Sequence, residues 1–395
     1  MKYRNANNIL PDKLINMIQE YVQGEYIYIP VKEKFVSKYP TDYKTELEKR
    51  NARIFIGHLE GICNKHLAEL YHLSESSIRR IIIKQRRNFK EMEEQIRKIL
   101  IYWGLQEKEL RQIYDTAWQI GENYVLKIYD DLNMMKRNLE LLYILNSMNI
   151  PVGQIIPTLD NQQYIINKDI CCFLSKKLSG SNIVQVGNDM NIACMMGKII
   201  AELHIAFKKC EEIDNFWNNS LLDEMKGWVK NSFEKECWNY ISKEEYEEIV
   251  SKLENIYDKL PVQLIHRDVH FGNFLFDKGK FSGYIDFDLS QRNIRIFDIC
   301  YFLLGLLSEE EKSEITEELW FEFAKNVFKG YESKLKLSIE EKKAVPYVME
   351  CIELLFIAWF EGQNDVCCAQ NADKILHFIK YSEDRIWKSI SYTSL

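Results

Sequence analysis

Residues 264–288 read LIHRDVHFGNFLFDKGKFSGYIDFD, and the spacing of polar residues in this stretch decides how the whole chain is read. His266, Asp268 and Asn273 stand in an H-x-D-x-x-x-x-N pattern. Asp286 follows thirteen residues after Asn273, at the end of an apolar run. A phosphoryl-transfer site needs acceptors of this kind. One carboxylate orients an attacking hydroxyl and takes its proton, while an amide and a second carboxylate hold the magnesium that bridges nucleotide phosphates. Asp and Asn before Gly also form ordinary turns, and that is the weaker reading of the two.

Composition sets the frame around this motif. A chain of 395 residues with 46% hydrophobic and 28% charged residues is globular, and too long for one ordinary core, so two or three domains are expected. The sequence has no run of eighteen apolar residues, so no membrane partner is expected. The opening MKYRNANNILPDKL lacks the apolar centre of a signal peptide. Ten cysteines occur without a C-x-x-C pair, and the doublets Cys171–Cys172 and Cys367–Cys368 lie in apolar segments. That usage argues against a disulfide framework or a zinc site and for a reducing cytoplasm. The net charge of −7 is unevenly spread. Residues 1–100 hold 19 of the 52 Lys and Arg but only 13 of the 59 Asp and Glu, which makes a basic head on an acidic body.

The head reads as helical. Residues 11–23, opened by Pro11, carry Leu14, Ile15 and Ile18 on one side, and YIYIP then forms a short extended piece. A helix fits from Glu46 to about Gly57. ICNKHLAELYHL follows with Leu67, Leu70 and Leu73 at helical spacing, and Ser74 is a suitable N-cap for SESSIRRIIIKQRR. Two short helices around a tight turn, the second rich in Arg and Lys, form a helix-turn-helix plan. In it Ser76, Ser77, Arg79 and Arg80 point outward, Ile78, Ile81 and Ile82 pack inward, and Lys84, Arg86, Arg87 and Lys90 track phosphates. Residues 1–95 resemble small helix-turn-helix proteins of the Mor-activator or homeodomain-like kind, which implies DNA as a partner. A basic solvated helix in a packing or dimerising module is the competing reading, and it makes a second copy of the chain a further candidate partner.

Beyond residue 111 the periodicity changes. RQIYDTAWQIG and ENYVLKIYDD are β-rich runs joined near Gly121–Glu122, MMKRNLELLYILNSM at 134–148 is helical, and QQYIINKD and CCFLSKKL read as two more strands. From about residue 189 the pattern is mostly helical. This is an α+β chain with helices segregated from a small sheet.

Residues 100–390 resemble the aminoglycoside phosphotransferase and choline kinase family. HRDVHFGNFLF is similar to its catalytic loop, and YIDFDLSQRNIRIFDICYFLLG to its metal-binding strand and following helix. The resemblance implies a bilobal protein-kinase-like fold, a small β-rich lobe at 96–180 and a large mostly helical lobe at 181–395, preceded by the all-α head at 1–95. It implies ATP or GTP with Mg2+ as cofactors and a small-molecule alcohol as phosphate acceptor. Asp268 matches the catalytic base and His266 the loop histidine beside it. Asn273 and Asp286 match the metal ligands, with Asp288 either a further ligand or a turn cap. Lys127 in VLKIY matches the strand lysine on the α/β-phosphates, Lys176–Leu178 the backbone that reads the adenine, and Asp298 the acid that braces the loop. One position departs. Asn138 stands where the family carries the glutamate that pairs with this lysine, and Glu140 lies about 200° further around the helix. Either the register is shifted or Lys127 goes without its usual partner. On the substrate side MECIELLFIAWFEGQND combines Glu350, Glu353, Glu361 and Asp365 with aromatics such as Trp359. Glu353, Trp359 and Glu361 are candidate contacts to an amine-bearing alcohol, against the reading of a core helix with an acidic solvated face. A ligand-sensing regulator with little catalysis, in which the kinase-like part modulates DNA binding by the head, is the alternative function.

Overall fold

The computed structural model describes residues 50–391 apart from 56, 59, 60, 72, 115, 168, 169, 184–188, 212, 214, 215, 217 and 309–314, so the helix expected over 11–23 and the extended piece after it lie outside the described residues. Helix α1 (Asn64–Leu70) is followed by α2 (Glu75–Leu100), whose N-cap Ser74 accepts the amide of Ser77 at 3.2 Å. Leu67, Ala68, Ile78 and Ile82 bury together with Ile54 and Phe55 of a helical stretch at 50–55, while Ile81 is partly buried. No Gly or Pro interrupts residues 75–103, and α2 runs on past residue 95 to Leu100. Its end, Ile96, Ile99 and Leu100, packs with Trp103 onto a sheet.

That sheet is antiparallel and contains β1 (Leu110–Tyr114), β2 (Ala117–Ile120), β3 (Tyr124–Tyr129), β4 (Ile155–Ile156), β5 (Ile165–Asn167) and β6 (Ile170–Lys176). The order is β1-β2-β3-β6-β4, with β5 also on β6. RQIYDTAWQIG, read from sequence as one β run, turns back on itself. Tyr114 pairs with Ala117, and the register shifts between Gln112 and Tyr114. Period two then sorts the side chains. Trp118, Ile120, Leu126, Ile128, Cys172 and Leu174 face α2, whereas Lys127, Tyr129 and Phe173 line the opposite side. Helix α3 (Leu132–Ser147), capped by Asp131 on the amides of Asn133 and Met134, packs on that second side through Leu139, Leu142 and Leu145.

The remainder is helical around two short strand pairs. Helices α4 (Met190–Phe207), α5 (Leu221–Glu224), α6 (Lys230–Lys235) and α7 (Lys243–Tyr257) precede β7 (Val262–Ile265), β8 (Phe274–Asp277), β9 (Lys280–Tyr284) and β10 (Gln291–Ile294). Then come α8 (Ile296–Ser308), α9 (Glu317–Glu332), α10 (Ile339–Gly362), α11 (Val366–Tyr381) and α12 (Glu383–Ser391). β7 pairs with β10, and β8 with β9. The β8–β9 connection is two residues, Lys278 (φ 51°) and Gly279 (φ 76°), and both positive φ values suit the twist of a tight hairpin.

Helix α4 alone among the described helices is long and apolar enough to match a membrane span by composition, but it is a core element here. Ala193, Met196, Ile199, Ile200 and Leu203 are buried, and its backbone lies directly against α9. A Cβ on Gly197 would sit 1.9 Å from the Val327 carbonyl oxygen, and one on Gly330 would sit 2.0 Å from the Cys194 oxygen. Gly197→Ala or Gly330→Ala should therefore destabilise the chain by about 1–3 kcal/mol, because two helix backbones must separate. Gly305→Ala in α8 meets nothing within 4 Å and should be neutral or stabilising by up to about 1 kcal/mol. Chemical denaturation of the three variants measures the contrast.

Candidate active site

The stretch from His266 to Asp288 folds as loop, hairpin and loop, and a single buried carboxylate organises its start. Asp298, at the beginning of α8 and fully buried, accepts the backbone N–H of His266 (2.9 Å) and Arg267 (2.8 Å) and bonds His204 Nε2 at 3.0 Å. The turn it braces places Arg267 at φ 69°. That guanidinium reaches back in a bidentate pair to Glu224 (3.1 and 2.9 Å). His266 is fully buried between Phe287 and Phe274 and bonds the Ile285 carbonyl through Nε2 at 3.2 Å, so it ties the loop to the strand-end ahead of Asp286. Burial holds its pKa below the ordinary histidine value.

Asp268 follows with both oxygens engaged. Tyr301 donates to Oδ1 at 3.0 Å and Asn273 Nδ2 to Oδ2 at 3.0 Å, while His270 Nε2 stands 3.5 Å from Oδ2. Burial would raise its pKa, but His270, His266 and Tyr301 more than offset this and hold it at about 2. It is therefore an anion of low basicity at neutral pH. Asn273 also donates to the Asp268 carbonyl at 2.8 Å. With its N–H groups spent on Asp268, the side-chain carbonyl is the atom it can offer a cation.

Across from the loop, Lys127 on β3 lies 2.7 Å from Asp286 Oδ1 and 2.7 Å from Asp288 Oδ2. Burial alone would lower its pKa, yet Tyr129, Asp288 and Asp286 outweigh it and hold the lysine above its ordinary value. Asp286, with φ 61°, is pushed up by burial and pulled further down by Lys127, for a net lowering. Asp288 shifts the other way, raised chiefly by burial. Of the two alternatives for Asn138, the structure has Lys127 without an acid from helix α3, yet the lysine is not unpaired. Lys127 takes two carboxylates from the segment after β9 instead of one from helix α3, and Glu140 is exposed. Asn138 itself is 2% exposed and donates through Nδ2 to Asp288 Oδ1 at 2.6 Å and to the Tyr129 hydroxyl at 3.2 Å.

These groups share a cleft of about 460 Å3. Lys127, Tyr129, Asn138, Lys176, Lys177, Leu178, Asn273, Asp286 and Asp288 all contribute to its walls. Three residues passed over in the sequence hold the loop beside it. Asn182 Nδ2 bonds the carbonyls of Phe271, Gly272 and Phe274 (3.2, 2.6 and 3.0 Å), clamping the loop. His270 accepts the Gly272 amide at 3.0 Å and turns its other nitrogen to Asp268. Tyr301 lies one helical turn after Asp298 on α8, a spacing that would have placed it on the same face.

The substrate-side candidates separate. Trp359 is 43% exposed, and an aromatic path runs from it through Phe360 and Phe356 to Tyr301 on Asp268. Glu361 accepts from Asn239 at 3.2 Å. Glu353 is only 2% exposed, its pKa raised well above the ordinary value by burial, so it is a core group.

Residues 109–341 match the model of the phosphotransferase enzyme family APH. The chain belongs to that family. Among curated proteins, homoserine kinase of Gluconobacter oxydans (strain 621H) is 29% identical over 177 residues, 43% of this chain and 52% of that protein, so the chain spans about half the length of that relative. The uncharacterized protein YraL of Bacillus subtilis (strain 168) is 40% identical over 84 residues, 21% of this chain and 97% of YraL. Two solved structures share the fold. The amicoumacin kinase hAmiN, in complex with AMP-PNP, Ca2+ and Ami, has a TM-score of 0.57 at 17% identity, over 76% of this chain and 96% of that one. The microcompartment-associated aminopropanol kinase has a TM-score of 0.52 at 16% identity, over 76% and 98%. The α+β arrangement of a small sheet lobe and a helical lobe is therefore the kinase-like one.

One buried acid of the helical lobe gives a pH signature. Glu350 on α10 has no exposed surface and has Glu383 and Lys252 as its charged neighbours. Burial, with Glu383 adding to it and Lys252 opposing, pushes its pKa up to about 8 from 4.5. The unfolded chain loses this proton first. Its contribution to stability is thus complete below about pH 4.5 and is lost as the pH rises through about 8. The slope is at most about 1.4 kcal/mol per pH unit. Glu350→Gln should flatten this decline, with an unfolding midpoint above wild type at pH 8.5 and close to it at pH 4.5, read by thermal unfolding across pH.

Proposed function

We propose that the chain is an ATP-dependent kinase that transfers the γ-phosphate to a hydroxyl of a small molecule. The observation that carries this is the meeting of Lys127, Asn273 and Asp286 from both lobes in one cleft, with Asp268 hydrogen-bonded to the Asn273 amide at 3.0 Å. Asp268 orients the acceptor hydroxyl and receives its proton, and His266 is a positioning residue behind it. Lys127 binds the α/β-phosphates. The amides of Lys176 and Lys177 are spent on the carbonyls of Gln154 and Asn123, so an adenine here would read carbonyls of the Lys176–Leu178 segment and the Leu178 amide.

The donor set suits magnesium. Among the described residues no three His, Cys, Asp or Glu side chains form a self-sufficient cage. An amide oxygen and a carboxylate at a phosphate cleft are what a hard cation that keeps waters and phosphates as ligands requires. Asn273 and Asp286 would hold it, and the ion would neutralise charge on the β/γ-phosphates. Amine-bearing alcohols are the favoured acceptors, since Trp359, Phe360 and Glu361 offer aromatic faces and a carboxylate. That hAmiN is solved with AMP-PNP and a relative is named homoserine kinase agrees with this reading. With Mg-ATP and a panel of amino alcohols, sugars and aminoglycosides, Asp268→Asn should lower turnover by about 10²–10⁴-fold while leaving nucleotide binding in place. A panel without Asp268-dependent turnover overturns the reading.

A second reading, favoured by the head, makes the chain a regulator. Helices α1 and α2 meet at a short turn, and Ser76, Arg79, Arg80 and Lys84 are exposed along the start of α2 with Ser77 beside them. Arg79 is paired with Glu75 and Arg87 with Glu91, which leaves part of that charge neutralised. If the head is a helix-turn-helix reader, the chain shifts DNA from near its own gene at low salt and responds to Mg-ATP. A gel without retarded DNA at low salt removes this reading.

A further inference from the structure

Lys127 takes both of its carboxylates from beyond β9, and helix α3 offers it none. The side chain that α3 does offer, Asn138, is turned on one of those carboxylates. Its Nδ2 is 2.6 Å from Asp288 Oδ1, and the Tyr129 hydroxyl, itself 3.2 Å from Asn138 Nδ2, donates to the same oxygen at 3.2 Å. The other oxygen of Asp288 is 2.7 Å from Lys127 Nζ. Asp288 is thus gripped on one side by an amide and a phenol and gives its other side to the lysine. Asp286 differs. Its side chain is 47% exposed against 24% for Asp288, and it stands on the strained φ of 61°. A carboxylate at position 138 would stand at hydrogen-bond distance from Asp288, where two like charges repel. A neutral donor at 138 is what allows an acid at 288.

We propose that Asp288, held by Asn138 and Tyr129, is the residue that positions Lys127. Asp286 is the exchangeable partner, which turns from the lysine to the cation when nucleotide enters. This rests on the cleft being a magnesium-nucleotide site. Lys127 and Tyr129 come from β3, Asn138 from α3 and Asp288 from beyond β9, so the same contacts join the two lobes. The lysine stays seated through its Asp288 contact while its Asp286 contact is broken.

Two measurements on the full chain decide it. In the nucleotide-free protein, acylation of Lys127 by an amine-reactive ester, quantified by peptide mass spectrometry, reports how firmly the amine is held. Asn138→Ala and Asp288→Asn should each raise labelling several-fold, and Asp286→Asn should raise it less. Calorimetric titration with Mg·AMP-PNP should then show about tenfold weaker binding for Asn138→Ala and for Asp288→Asn. The double variant should be no worse than Asp288→Asn alone, because both act through one contact. The isosteric Asn138→Asp, which sets a carboxylate against Asp288, replaces Asp288→Asn should that variant not fold. Lys127 labelling that rises only in Asp286→Asn, or additive losses in the double variant, overturns the proposal. A chain that binds no Mg·AMP-PNP but shows the labelling pattern keeps the positioning and loses the functional reading. Nucleotide binding with unchanged labelling in Asn138→Ala and Asp288→Asn does the reverse.

Discussion

The geometry of the cleft depends on one buried carboxylate. Asp298 has no contact with solvent, and its bonds go to two consecutive backbone amides and to His204. Consecutive N–H groups aimed at one acceptor require a sharp turn, and Arg267 supplies it by taking a left-handed φ that non-glycine residues rarely adopt. A strained turn persists only where its surroundings over-determine it. Here the surroundings are the Asp298 bonds, the Arg267–Glu224 pair and the Asn182 clamp further along the loop. Asp268 is the next residue, so its direction follows from that turn.

Charge is concentrated where the lobes meet. Lys127 from the small lobe faces Asp286 and Asp288 from the large one, in a partly dry cleft where such contacts are stronger than in water. The aromatic residues around them serve a different end. Phe287 and Phe274 enclose His266, and Phe297 lies under Arg267, so the loop is packed on apolar faces while its polar atoms are met by specific donors. The glycine pair of Gly197 and Gly330 sets α4 against α9, and His204 on α4 reaches both Asp298 and Tyr331 of α9.

Local features were legible from the chain alone. Alternation along YVLKIY places Lys127 on the face away from Leu126 and Ile128, and Ser74 caps α2 through a side-chain acceptor. The helix expected at 134–148 is found at Leu132–Ser147. Contacts between distant segments were not legible. Asn182 and the loop it clamps are about ninety residues apart, and Lys127 and Asp288 are further apart still. No period or spacing encodes such pairs, which is why Asn138 read as a missing partner for the lysine when its bond runs to Asp288.

By itself the sequence determined most of the elements, the α+β order of a small sheet before a helical part and the set of polar residues around one motif, because periodicity, capping and turn chemistry act over a few neighbouring residues. Only the tertiary structure decided which acid each base meets. Partner choice depends on what packing brings within about 3 Å, and desolvation makes an unmet charge costly there. Lys127 therefore pairs across the cleft, and Glu353, acidic in sequence, ends in the core.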